Sequence, residues 1–323
     1  MTKTFPPVRH LIILLILAAF PSSLQAQDTF FLSPSETEPR QPSSPNRTLL
    51  VGSISAGILT GFMVFGTFAW WKDKGRTGWS WKQTGFFGAD TYVGGADKAG
   101  HIYAYYVTSK GTRQIYQWMG VPKKSALILG TGVTFFVSTA VEVVDGFTEH
   151  GFEWTDVVAN LLGMGFFLTG ELVPSFDELF GMRISYVPTY EFVHGEKNYV
   201  KLVNDYSGMI FYLDLRLAGL EKVTEISLGP ARYFTLGLTY GTYGYSPGRD
   251  NKRRNLGFYI GLNFPEILES IWGTKSRSVR AASTFTRYYA LPFTTASLEH
   301  DLNHGTTTLN FGVANRMQYP SRN

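Results

Sequence analysis

The chain has 323 residues, enough for one large domain or two ordinary ones, with 15% aromatic residues and 34 glycines. The absence of cysteine excludes disulfides, thiol catalysis, cysteine metal sites and a lipid anchor on an N-terminal cysteine. A formal net charge of only +4 gives nucleic-acid binding little electrostatic support.

Residues 1–26 read as a secretory signal. Lys3, Arg9 and His10 form a basic start, residues 11–20 an apolar core, and Leu24-Gln25-Ala26 precede the expected cut. The core is too short for a comfortable membrane span. Residues 27–47, rich in Ser, Pro and Glu, lack the apolar content to bury a core and are expected to form a disordered polar linker.

A helical domain is predicted over 48–182. Residues 48–71 are apolar and long enough to cross a bilayer, although the centre of a soluble bundle would read the same way. Gly57 and Gly61, four apart, allow another helix to approach closely. In the connector that follows, Trp70, Trp71, Trp79 and Trp81 lie beside Lys and Arg, as in an interfacial belt. Residues 101–120 form an amphipathic helix ended by Gly120-Val121-Pro122. Residues 125–144 are apolar apart from hydroxyls and Glu142, and residues 154–173 form a fourth helix stopped by Pro174.

After about residue 185 the period changes to two. Phe211, Leu213, Leu215 and Leu217 alternate with polar residues, as do Phe234, Leu236, Leu238 and Tyr240. Leu256, Phe258, Ile260, Leu262 and Phe264 repeat the pattern, followed near the end by Leu309, Phe311 and Val313. Residues 246–255 read as a polar hairpin connector. Five or six strands can be counted, fewer than the roughly eight that a closed membrane barrel needs. The fold class expected is therefore α+β. A membrane-associated N-terminal bundle of about four helices precedes a C-terminal antiparallel β-sheet or partial barrel over 183–323. The sheet is expected to pack its apolar face on the helices, with a membrane surface as the alternative.

The helical text carries polar groups that are costly to bury alone. Asp97, Lys98 and His101 open one helix, and Tyr105 continues their face. Glu142 and Asp145 lie near the end of another, and Asp156 and Asn160 lie in a third. The intervening loop adds Glu149, His150 and Glu153. Such a set suits three kinds of centre: a structural polar network, an acid–base site around His101, or a divalent-metal site. One histidine without an HExxH partner is a weak metal signal, and the residues specify neither a metal nor a cofactor.

The run DKAGH, then EVVD, then WTDVVANLLG resembles the VanZ-like and YfiM-like group, which has a D-K-x-x-H motif, a later acidic motif and a D-x-x-x-N-x-x-G motif on adjacent helices. The strand text KLVNDYSGMIFYLDLRL and FTLGLTYGTYGY resembles longer YfiM-like envelope members, so the likeness covers roughly residues 48 to 315. It implies an exported envelope protein of unknown function. The VanZ-like group is linked to glycopeptide-antibiotic tolerance. Without cysteine, membrane attachment would rest on residues 48–71 and the strands.

The expectation is a membrane-associated structural or binding component of the periplasm or outer membrane, with the inner membrane as the alternative. Its expected partner is membrane lipid or an envelope component. The alternative function is a hydrolase acting on a lipid-linked or cell-wall substrate. There His101 is general base or metal ligand, Asp97 orients it, and Glu142 and Asp156 serve as acid or ligands. Lys98, Asn160, Asp145 and Tyr105 would bind or position substrate.

Overall fold

A computed structural model describes residues 45–72, 74–194, 199–245 and 251–312. The expected signal over 1–26 and nearly all of the linker over 27–47 lie outside the described residues, as does half of the connector over 246–255.

Helix α1 (Pro45–Gly66) runs into a π-helical turn, Thr67–Trp71. Its apolar sides are almost uncovered, apart from contacts with the helices below. A short strand β1 (Trp81–Lys82) and a kinked turn lead to α2 (Ala96–Trp118). Then come α3 (Lys123–Asp145), strand β2 (Phe152–Glu153) parallel to β1, and α4 (Trp154–Leu172). Helices α2, α3 and α4 form a tight trio because glycine permits it. A Cβ on Gly163 of α4 would lie 2.2 Å from the Ile102 carbonyl oxygen of α2. On Gly130 of α3 it would lie 2.7 Å from Arg113 Cα of α2. Tyr105, Val137 and Met164 fill the space between the three, and Ile58, Leu59 and Phe62 of α1 pack on them.

Helix α5 (Pro174–Leu179) turns the chain directly into a six-stranded antiparallel sheet whose strands follow chain order. These are β3 (Phe180–Tyr186), β4 (Met209–Arg216), β5 (Phe234–Tyr243), β6 (Arg253–Leu262), β7 (Thr295–Asp301) and β8 (Thr306–Phe311). Strands β3 and β8 are its edges, so the sheet does not close into a barrel. Short helices α6 (Tyr190–His194) and α7 (Leu217–Thr224) flank β4. Between β6 and β7 the chain leaves the sheet for two helices, α8 (Phe264–Trp272) and α9 (Arg277–Tyr288). The strand-like periodicity had not marked this excursion. It returns to the far edge, where the Ala290 amide donates to the Ile184 carbonyl at 2.9 Å.

The register aligns side chains in rows across all six strands. Met182, Leu213, Leu238, Phe258, Leu298 and Leu309 form one such row. Phe180, Leu215, Leu236, Ile260, Ala296 and Phe311 form the next. The expectation that this face packs on the helices holds only at its corner. There Ile184, Met209 and Phe211 meet Val93, Ala96 and Tyr103. Toward β6–β8 these rows are largely exposed, with Phe258 73% exposed, Leu309 62% and Leu298 54%, while Phe180, Met182 and Leu215 are half-buried.

The opposite, polar face is the buried one. Arg183, Asp214, Thr235, Thr239, Tyr259, Ser297 and Glu299 all point there and are all buried. They tolerate burial because many bond one another. Arg183 Nε lies 2.5 Å from Asp214 Oδ2, and its Nη2 donates to Thr235 Oγ1 (2.8 Å). The Tyr259 hydroxyl donates to Asp214 Oδ1.

Candidate functional site

The trio α2–α4 brings the predicted polar residues together at one end of the bundle. Their positions follow from helix geometry. Residues four apart share a helix face, so Asp97 and His101 look the same way from α2, as do Asp156 and Asn160 from α4. The close approach at Gly163 then sets those faces against each other.

Lys98 lies at the centre of the first half of the site, fully buried among carboxylates. Its Nζ is 2.9 Å from Asp97 Oδ2, 2.7 Å from Glu153 Oε2 and 2.5 Å from Asp156 Oδ1. Burial acts against the ammonium, but Asp97 and Asp156 outweigh it and raise the pKa above its ordinary value, so Lys98 stays charged. Burial also raises the Asp97 carboxyl above the usual range, and the Lys98 charge offsets only part of that. Glu153, in β2, also accepts from Thr84 Oγ1 at 2.7 Å.

The second half surrounds His101. Its Nδ1 lies 2.7 Å from Asn160 Oδ1, while Asn160 Nδ2 donates to Glu142 Oε1 at 3.1 Å. That donation turns the amide so that its oxygen faces the ring, which makes Nδ1 the protonated nitrogen and leaves the lone pair on Nε2. His101 Nε2 is 3.7 Å from Asp156 Oδ1, and Nδ1 is 3.8 Å from Glu142 Oε1. The Tyr105 ring stacks at 6.2 Å from the imidazole. Burial disfavours the charged imidazole, but Asp156, Glu142 and Asp97 together hold its pKa above the ordinary value. Asp156 therefore belongs to both halves and couples them.

Asp97 faces Lys98, and it is Asn160 that orients His101. Asp145 sits to one side, accepting from Trp71 Nε1 at 2.5 Å. His150 contacts the Trp70 carbonyl at 3.3 Å. Of the loop residues, Glu153 joins the arrangement through Lys98, and Trp71, which the sequence placed only in an interfacial belt, joins it through Asp145. Glu153 sits immediately before α4, three residues ahead of Asp156, so the start of that helix brings both carboxylates to Lys98.

Among the described residues, two groups of three donors lie within 4.8 Å of one another, close enough to be candidates for holding a cation: His101, Glu142 and Asp156, and Asp97, Glu153 and Asp156. Lys98 fills the second group with its ammonium. The first group has no cation of its own apart from what His101 supplies by protonation.

Residues 83–173 match the family described as a predicted periplasmic lipoprotein (DUF2279). The matched span covers α2, α3, α4 and the whole Lys98–His101 cluster and stops before the sheet. It supports an exported, cell-envelope location with no assigned activity. No curated protein and no solved structure matches the chain.

Proposed function

We propose that this chain is a membrane-integrated component of the cell envelope, in which a lipid-facing shell carries a buried charged centre, acting as a structural or binding component. The inverted sheet is the observation that carries this reading. In water, an antiparallel sheet turns its apolar side to a core and its polar side to solvent. Here the apolar rows face outward and the polar residues are enclosed. The strands of closed outer-membrane barrels turn their apolar side outward in the same way, although this sheet is open at β3 and β8. Helices α1 and α3, both long and apolar enough to cross a membrane, extend the same exterior through Val64, Phe68, Ile128 and Phe136. After α1, Trp79 and Trp81 meet Phe147 and Phe152 edge-to-face, in a segment that also carries Lys72, Lys74 and Lys82, which suits a membrane interface. The VanZ-like and YfiM-like motifs agree with an envelope role.

The absence of cysteine makes the test clean, because a single introduced thiol reports alone. A nitroxide on Phe258→Cys or Leu298→Cys in bilayers is expected to collide with oxygen more often than with a water-soluble nickel chelate. Glu225→Cys, in an exposed turn, gives the aqueous reference. The reverse order at Phe258 overturns the reading, and so does low access to both probes, which marks a protein–protein face.

The hydrolase reading has one observation in its favour. The His101 side chain is 22% exposed, while Lys98 and Glu142 are sealed. If His101→Ala keeps the wild-type melting temperature and loses the envelope phenotype, hydrolysis is favoured. If it lowers both, the structural role is favoured.

A further inference from the structure

We propose that His101, Glu142 and Asp156 bind one divalent transition-metal ion of the manganese–iron–zinc class. The inference goes beyond the membrane reading and stands on different residues.

Asp97, Glu142, Asp145, Glu153 and Asp156 all crowd this end of the bundle, and among the described residues their only fixed buried cation is Lys98. Buried anions need compensation. Lys98 compensates the Asp97–Glu153 side and shares Asp156. The Glu142 side lacks such a partner. Glu142 is 1% exposed, and its Oε2 is sealed from solvent without a hydrogen-bond partner.

Geometry then places a cation there. One donor atom from each of His101, Glu142 and Asp156 lies within 4.8 Å of the other two. Ligands about 2.0–2.2 Å from a metal stand roughly 3–4 Å from each other, so a small inward movement closes the set. The three donors come from three different helices, whose spacing is fixed by packing at Gly163 and Gly130. Three protein ligands leave a position for water.

The neighbour of His101 supplies the remaining requirement. A metal-binding imidazole usually donates its other N–H to an oxygen, which fixes the tautomer. Asn160 Oδ1 accepts from Nδ1 and leaves Nε2 for the metal. An imidazole nitrogen among the donors favours a transition metal over magnesium or calcium, which take oxygen ligands.

The test uses the full chain in detergent, stripped with a chelator and titrated with Mn2+. The free-ion paramagnetic resonance signal is expected to fall until one ion is bound per chain, with Zn2+ displacing it and excess Mg2+ failing to. Pulsed resonance on the bound Mn2+ should show coupling to an imidazole nitrogen. His101→Ala and Glu142→Gln should each weaken binding at least 10-fold, and Asn160→Ala roughly 10-fold or more. His150→Ala, outside the set, should leave it unchanged. Circular dichroism confirms that each variant is folded. The proposal is overturned if the folded wild-type chain takes up no ion at 1:1. It also fails if bound Mn2+ shows no nitrogen coupling, a readout that needs no variant.

Discussion

Lys98 is the residue whose loss the site tolerates least. Its ammonium stands within 2.9 Å of three buried carboxylates and has no exposed surface. Lys98→Met fills much of the same volume but leaves those carboxylates facing each other. Breaking a buried pair by removing one partner costs about 3–5 kcal/mol. The expected result is a loss of that size in urea unfolding. A loss below about 1 kcal/mol means the carboxylates are not held charged as described. Asp177 gives a second residue-scale case, one that pH can read. It lies 2.5 Å from Lys110. Burial raises its carboxyl, but the Lys110 ammonium, helped by Arg216, more than offsets that and holds the pKa below the ordinary value. A depressed carboxyl contributes stability above its unfolded value, about 3.9, and loses it as pH falls through the folded value. Asp177→Asn should therefore be less stable at pH 7, by roughly 1–3 kcal/mol, and the gap should close below about pH 4. An equal gap at pH 3 and pH 7 contradicts the ion pair. Much of the Lys98–His101 centre was legible in the sequence because polar residues in apolar helices have few places to go. Glu153 was visible only as one of three loop residues, and its place on Lys98 depends on how the start of α4 packs against α2.

At the scale of elements, the centre depends on how closely α4 meets α2. The Gly163 position is closed by backbone: a methyl there would lie 2.2 Å from the Ile102 carbonyl, which has no rotamer to escape into. Gly165, on the same helix, has nothing within 4 Å of the same methyl. Gly163→Ala should cost about 1–3 kcal/mol through overpacking and should push Asn160 away from His101. Gly165→Ala should be neutral or gain up to about 1 kcal/mol from helix propensity. Melting curves of the pair check this, and equal shifts would mean the helices are not in contact there. The sheet shows a different limit of sequence reading. Alternation identifies strands and sorts their residues into two sets, but it is symmetric and does not say which set meets water. A clue lies in the enclosed set itself. Gly181, Ser185, Thr235, Gly237, Thr239, Thr295 and Ser297 are small, as an interior requires, whereas a solvent face usually carries Lys and Glu. Helices α8 and α9 escaped notice although Pro265 and Ser276 sit where helix starts favour them.

At the scale of the whole molecule, the sheet reverses the usual order of a soluble protein: its polar side is enclosed and its apolar rows are exposed. The Lys98 cluster lies in the bundle, and the Arg183–Asp214–Tyr259 network lies beneath the sheet. The corner where Phe211 and Ile184 meet α2 joins the two. Exposed apolar rows of this size call for a cover of lipid or of another protein, and substitution can distinguish the two. Phe258 and Leu309 sit in one row of the outward face, on the opposite side of the sheet from the Arg183–Asp214–Tyr259 network. If that face met water, Phe258→Arg or Leu309→Arg would change stability by no more than about 0.5 kcal/mol, as surface changes do. If it meets lipid, each should cost about 2–4 kcal/mol near the bilayer midplane and less toward its edges. The measurement is urea unfolding from lipid vesicles, with Glu225→Arg in the exposed turn as a reference. The charge must be costly at the sheet and nearly free at the turn, because only the sheet position takes it out of water. Equal small effects at both sites would place the sheet in an aqueous setting and leave the apolar rows to be covered by another protein.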